Sequence, residues 1–249
     1  MSESIADIVM EARRVIGAMD AAGVPARVLG GVAVALHAHH PLPAALSRVY
    51  ADIDLVVAAG REGDLRRVLE ASGYESDRKF NALYGYRRQL YWDRRNDRQL
   101  DVFVGRFAMC HALTLDGRLS DASGTLRPAD LLLTKLQIVE LNAKDILDGL
   151  ALVDLHPTGR ESEGDVIGLD RIAEVTGSDW GWFATASDTL NRLEAAAATF
   201  DADRASTIWS RLAEIRSAMD SAPKSLRWRA RARVGRRVPW YELPEEHVR

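Results

Sequence analysis

Two aspartates one residue apart, Asp52 and Asp54 in YADIDLVV, stand directly ahead of the apolar run Leu55, Val56, Val57. In an extended chain, residues two apart point to the same face, so both carboxylates lie together while Ile53 turns to the other side. At ~4 Å and an effective dielectric of ~20, two like charges repel by about 4 kcal/mol, so the pair must be hydrated, protonated or neutralised by a cation. Mg²⁺ suits such a pair, because it takes carboxylate oxygens together with substrate phosphates. Asp101 in QLDVFVG opens another apolar strand. Three carboxylates at the mouths of neighbouring strands would form a two-metal site for in-line displacement, one metal on nucleotide phosphates and one on the attacking hydroxyl. Gly30 and Gly31 lie where ARVLGG passes into VAVALHAHH, and glycines there let the backbone and the helix N-terminal amides approach an anion. The plain alternatives are solvated strand-end aspartates, an edge or cap role for Asp101, and an ordinary tight turn at the glycines.

The elements that must hold these residues are readable in outline. ARVL reads as a strand, VAVALHAHH as a helix and DIDLVV as a strand. GREGDLRRVLEASGY reads as a helix ending at Gly73, where a left-handed cap favours glycine. Strand-like stretches follow at ALYGYRRQLYW and RQLDVFVGRF, which predicts an α/β (α+β) fold with a mixed β-sheet flanked by helices. Pro128 fits the first turn of a helix, and DLLLTKLQIVEL and AKDILDGLALVDL continue the helical pattern. HPTGRESEGD, 156–165, combines Pro, Gly and charge without apolar periodicity and predicts a linker between a core at 1–155 and a helical C-terminal region at 166–249.

Composition sets the frame. A chain of 249 residues with 47% hydrophobic content can bury a substantial core, and a formal charge of -3 carries no global nucleic-acid or membrane signal. One cysteine, Cys110, excludes an intrachain disulfide framework. The first residues mix acids and bases on an amphipathic pattern without a signal-peptide core, and no apolar run of ~20 residues occurs, so the cytoplasm is the expected location and no membrane partner is expected.

The order GG, DID, LDVF, followed by ADLLLTKLQIVELNAKDILD at 129–148, resembles the nucleotidyltransferase superfamily with the DNA-polymerase-β-like core, and within it the AbiEii-like branch of type IV toxin nucleotidyltransferases. The resemblance covers roughly residues 25 to 155. It implies a nucleotidyltransferase-type sheet and transfer of a nucleoside monophosphate from an NTP, with Mg²⁺ or Mn²⁺, to an acceptor hydroxyl. The acceptor it implies is a tRNA or other RNA 3′ end; a small hydroxylated molecule of the aminoglycoside kind fits other branches, and a non-catalytic nucleotide- or RNA-binding module is the alternative outside enzymes. A toxin–antitoxin role would bring a cognate antitoxin as partner. Carried across, Gly30 and Gly31 form the nucleotide-phosphate turn, Asp52, Asp54 and Asp101 hold the metals, and Asp101 is also the base. Lys135 contacts the triphosphate, and Asp145 or Asp148 fills the later acidic position. Arg48, four residues before the aspartate pair, is a further candidate for the phosphates.

Other groups weigh less. His37, His39 and His40 end a helix before Pro41 and lack a paired cysteine set, which disfavours zinc. Cys110 beside His111 reads as a buried thiol rather than a nucleophile, and Phe80 and Asn81 are open as contacts to a base or acceptor. Asp145 and Asp148 share a helix face that reads as solvated, and Lys135 interrupts LLLTKL either functionally or as a snorkelling side chain. KSLRWRARARVGRRVPW carries Lys224, Arg227, Arg229, Arg231, Arg233, Arg236 and Arg237 without one acid, interleaved with Trp228 and Trp240. It suits RNA phosphates and base stacking, or docks on its own chain, which is the preferred expectation.

Overall fold

The computed structural model describes residues 3–38, 41–120 and 123–243. His39 and His40 lie outside them. The chain forms two compact units, the first built from residues 1–41, 48–107 and 113–126, the second from 42–47, 108–112 and 127–249.

The first unit contains α1 (Ile8–Ala21), β1 (Ala26–Leu29), α2 (Gly30–His37), β2 (Asp52–Val57), α3 (Glu62–Ala71), β3 (Glu75–Ser76), α4 (Arg78–Tyr84), β4 (Arg88–Asp93) and β5 (Arg98–Val104). Its sheet runs β1-β2-β5-β4-β3, with β2 and β5 parallel and the other neighbours antiparallel. β2 is an interior strand, which explains why Leu55, Val56 and Val57 are all buried instead of alternating. α3 ends two residues before Gly73, whose φ of 94° only glycine adopts without strain. ALY, expected as strand, closes α4 instead. Asp77 caps that helix by accepting from the Phe80 amide at 3.0 Å, and Asn81 ties it to β4 through the Leu90 backbone. Asn81 therefore has a structural task, and Phe80 lies against Tyr84 with ring centroids 5.1 Å apart. β4 and β5 form a hairpin closed by Arg94–Asp97, pairing Leu90 with Asp101.

Two short strands, β6 (Arg106–Ala108) and β7 (Ala112–Thr114), follow and pair with each other. The second unit contains α5 (Pro128–Leu136), α6 (Ala143–Leu155), β8 (Thr158–Gly159), β9 (Ile167–Gly168), α7 (Leu169–Ser178), α8 (Trp180–Ala197), α9 (Ala202–Ser221) and α10 (Leu226–Val234). Residues 156–165, expected as a linker, contain β8 and a short 3₁₀ turn and lie within this unit, where β8 pairs with β9. α5 is buried along its whole length, and its Asp130 receives the Arg171 guanidinium of α7 at 2.9 Å. No described helix is long and apolar enough to cross a membrane.

The basic segment divides. Trp228 donates to the Thr176 carbonyl at 3.1 Å, Trp240 to Thr185 Oγ1 at 3.1 Å, Arg236 pairs with both oxygens of Asp188, and Arg231 lies over the Trp180 ring while donating to the Gly235 and Val238 carbonyls. These four side chains dock the segment on its own unit. Arg227, Arg229, Arg233 and Arg237 are exposed.

His111 is bonded to Thr185 through Nε2 at 2.8 Å and lies against Trp182. Cys110 is buried, and burial raises its thiol pKa. Burial holds the His111 imidazole down at about 4 against the opposing pull of Asp179. The unfolded chain takes up this proton near 6.5, so below that pH the unfolded state binds more protons than the native one. Stability gained from the neutral ring is complete above about 6.5 and declines as pH falls toward about 4. Thermal melts between pH 4 and 7 are expected to show a shallower pH dependence for His111→Gln than for the wild type; equal slopes would contradict this.

Candidate active site

In the first unit Gly30 and Gly31 begin α2 directly after β1, Asp52 and Asp54 are the first and third residues of β2, and Asp101, expected to open its strand, is instead the fourth of the seven residues of β5. The parallel register sets Asp54 directly opposite Asp101. Paired residues share a face of the sheet, so Asp52, Asp54 and Asp101 lie on one side, with Asp52 exposed, Asp54 half-buried and Asp101 buried. Leu29 is opposite Asp54 on the other flank, and the chain turns there into α2.

Gly30 has a φ of 70°. A Cβ at this position would collide with Asp54 Oδ2 and lie 3.0 Å from Asp54 Cγ, so the residue must be glycine both for its dihedral and for the carboxylate beneath it. At Gly31 a Cβ would fall on the Arg48 guanidinium, 3.0 Å from Tyr50 Cδ1. Arg48 lies 4.5 Å from the centroid of the Tyr50 ring, which places a positive charge at the first turn of α2. Leu29, the N-cap of α2, offers no side-chain acceptor to the helix amides, and the first turn carries no acid. Amides, helix dipole and Arg48 converge on a place suited to an anion, beside carboxylates suited to a cation.

Arg88 was not singled out in the sequence. From β4 its Nε donates to Asp101 Oδ1 at 2.7 Å while Nη2 engages Oδ2, and the guanidinium lies 5.3 Å from the centroid of Phe103, its cross-strand partner. Its hydrogen bonds to Asp101, helped by the charges of Asp101 and Asp54, raise its pKa against the opposing effect of burial. The signal that could have found it is the hairpin: pairing across RRND sets Leu90 opposite Asp101 and brings Arg88 diagonally next to it.

The donor types suit a divalent cation of the magnesium kind, which takes one or two carboxylates together with phosphate oxygens and water. The oxygens of Asp52, Asp54 and Asp101 do not all lie within 4.8 Å of one another, and Arg88 holds both oxygens of Asp101, so gathering the three on one ion requires side chains to rearrange and Arg88 to give up its hold.

Lys135, Asp145 and Asp148 form a cluster in the second unit. Lys135 Nζ lies 3.2 Å from Asp145 Oδ1 and 2.8 Å from Asp148 Oδ2, with 9% of its side chain exposed. Burial works against the ammonium, yet Asp148 and Asp145 outweigh it and hold Lys135 above the usual lysine range. Asp148 is buried, so the solvated face expected for it is corrected: the acid faces α5, where it compensates the lysine. Among the dismissed groups, His37 is buried and bonded through Nε2 to the Leu126 carbonyl and Thr125 Oγ1.

No family model matches the chain, and no curated protein matches it. Similar solved structures include the antibiotic-resistance factor ANT(2″)-Ia in solution, with 16% identity, 63% of this chain and 84% of that one covered and a TM-score of 0.41. ANT(2″)-Ia in complex with adenylyl-2″-tobramycin gives 14%, 74%, 97% and 0.40. An antigenic nucleotidyltransferase-like protein from Paracoccidioides brasiliensis gives 14%, 92%, 99% and 0.44. Likenesses this distant carry no argument for this chain.

The contact between Gly30 and Asp54 separates two costs that glycine substitutions usually mix. Gly60 has a φ of 79°, and a Cβ added there would meet nothing within 4 Å. Gly60→Ala is expected to cost about 1 kcal/mol for the dihedral, and Gly30→Ala about 1–3 kcal/mol more, because the carboxylate must move as well. Urea unfolding of both variants measures the difference; equal losses would contradict the close approach.

Proposed function

We propose that this chain is a metal-dependent nucleotidyltransferase that moves a nucleoside monophosphate from an NTP to an acceptor hydroxyl, with an RNA 3′ end as the acceptor. The observation that carries the reading is the junction at Gly30, where an anion-suited helix turn rests directly on Asp54, itself paired in register with Asp101. A phosphate chain and a divalent cation bind next to each other in such a place. Exposed Arg227, Arg229, Arg233 and Arg237 support RNA as the acceptor, since solvent-facing guanidinium groups suit a phosphate backbone.

In this reading the amides of Gly30 and Gly31 and the Arg48 guanidinium orient the NTP phosphates. Asp52 and Asp54, with Asp101, would hold Mg²⁺ or Mn²⁺, which would supply charge neutralisation on the phosphates and acidify the acceptor hydroxyl. Asp101 accepts the proton of that hydroxyl as its oxygen bonds to the α-phosphorus. The bond from that phosphorus to the bridging oxygen breaks, and pyrophosphate leaves with the electron pair. Most of the acceleration then comes from positioning and fixed charge, as in phosphoryl transfer generally. Cytoplasmic location and a toxin role with a cognate antitoxin belong to the same proposal.

Incubation with each α-labelled NTP, Mg²⁺ and total RNA tests it. Label is expected on a discrete RNA species, and Asp54→Asn is expected to reduce incorporation by about 10²-fold or more while the protein still melts cooperatively. Label appearing only on an added aminoglycoside would move the acceptor to small molecules. Incorporation into neither, with NTP bound, would reduce the chain to a binding module.

The exposed arginines give a separate expectation. Neutralising Arg227, Arg229, Arg233 and Arg237 together should flatten the dependence of log affinity for RNA on log salt by roughly 0.7 per lost phosphate contact, with the melting temperature unchanged. A lowered melting temperature with an unchanged salt slope would assign these arginines to packing.

A further inference from the structure

Asp101 is buried, with 6% of its side chain exposed, and a carboxylate in that position is costly without a positive partner. Arg88 is that partner, and it covers both oxygens at once. Gln99 adds only a marginal contact at 3.5 Å. The two partners differ in their freedom. Arg88 keeps 31% of its side chain exposed and comes from the hairpin strand next to β5, so its guanidinium can swing toward solvent without disturbing the core. Asp101, fixed in β5 between β2 and β4, cannot follow. Whatever removes Arg88 must therefore bring positive charge to the same oxygens.

We propose that Arg88 is a built-in counter-ion that occupies the third carboxylate until a divalent cation arrives with nucleotide, and that it then exchanges Asp101 for the negative charge of the bound phosphates. This rests on the nucleotidyl-transfer reading. It deepens that reading by assigning Arg88 a positioning role and a coupling between metal and nucleotide. Without nucleotide, the cation must displace Arg88 with nothing to receive the guanidinium, so affinity is low. With nucleotide, the released guanidinium finds a new anionic partner, and the exchange becomes favourable. By linkage, metal strengthens nucleotide binding by the same factor. The arrangement keeps a buried acid neutralised at every stage and delays assembly of the complete carboxylate set until both ligands are present.

Mn²⁺ binding, followed by the loss of its free-ion EPR signal, tests this without turnover. The measurement uses the full chain as wild type, Arg88→Gln and Arg88→Lys, each with and without a non-hydrolysable NTP analogue. Without nucleotide, Arg88→Gln is expected to bind Mn²⁺ at least about tenfold more tightly than wild type, because a competing charge a few ångströms away has been removed. Arg88→Lys, which keeps the charge but cannot cover both oxygens, should fall between them. The nucleotide analogue should tighten Mn²⁺ binding to wild type much more than to Arg88→Gln. If Arg88→Gln fails to fold, the same ordering of wild type and Arg88→Lys, together with the nucleotide effect on wild type, decides the matter. Mn²⁺ binding that is unchanged or weaker in the folded variants would overturn the counter-ion role while leaving nucleotidyl transfer standing. No Mn²⁺ binding to any of the proteins, with or without nucleotide, would overturn both.

Discussion

Asp54 and Asp101 face each other across two hydrogen-bonded parallel strands, and the arrangement of the first unit follows from having to accommodate that pair. Adjacent strands are ~4.8 Å apart, so two ionised carboxylates held in register repel strongly in a partly buried setting. Each flank of the pair carries a device that makes it tolerable. On one side the chain passes over Asp54 through a residue without a Cβ, which leaves the carboxylate room at the start of α2. On the other side Arg88 reaches across from β4 and takes both oxygens of Asp101. Asp52, at the exposed start of β2, extends the same face into solvent.

The two units treat buried charge differently. In the second, Lys135 on α5 is held between Asp145 and Asp148 of α6 with little exposure. That cluster sets two carboxylates against one ammonium. In the first, Asp101 has one principal cationic partner, and that partner is the more exposed of the two. Lys135 has two acids on its ammonium, whereas Asp101 has one half-exposed guanidinium on its two oxygens, the feature on which the proposed exchange rests.

Much of this was legible because the informative residues are close in sequence to the elements they sit on. The glycine pair at the end of ARVL, the aspartates opening a wholly apolar strand and Gly73 at the end of a helix each carry their conformational reason locally. What could not be read depended on register and on distant partners. ALY looks like strand by composition, yet Asp77 caps a helix there and Asn81 completes its bonding to β4. Arg88 looked like one more strand arginine until hairpin pairing brought it to Asp101. Asp148 looked solvated because its partner, Lys135, lies on another helix thirteen positions earlier. The basic segment was legible as composition; which arginines dock and which face solvent was set by Asp188, Thr176, Thr185 and Trp180.

The central claim is that the carboxylate face beside Gly30 is a cation site that works together with an anion site at the start of α2. Anomalous diffraction from crystals grown with Mn²⁺ and a non-hydrolysable NTP analogue tests this most directly. The account predicts Mn²⁺ bound by oxygens of Asp52 and Asp54 at ~2.1–2.2 Å, with phosphate oxygens on the same ion and on the amides of Gly30 and Gly31. Mn²⁺ located elsewhere, or nucleotide phosphates bound away from Gly30, Gly31 and Arg48, would contradict it.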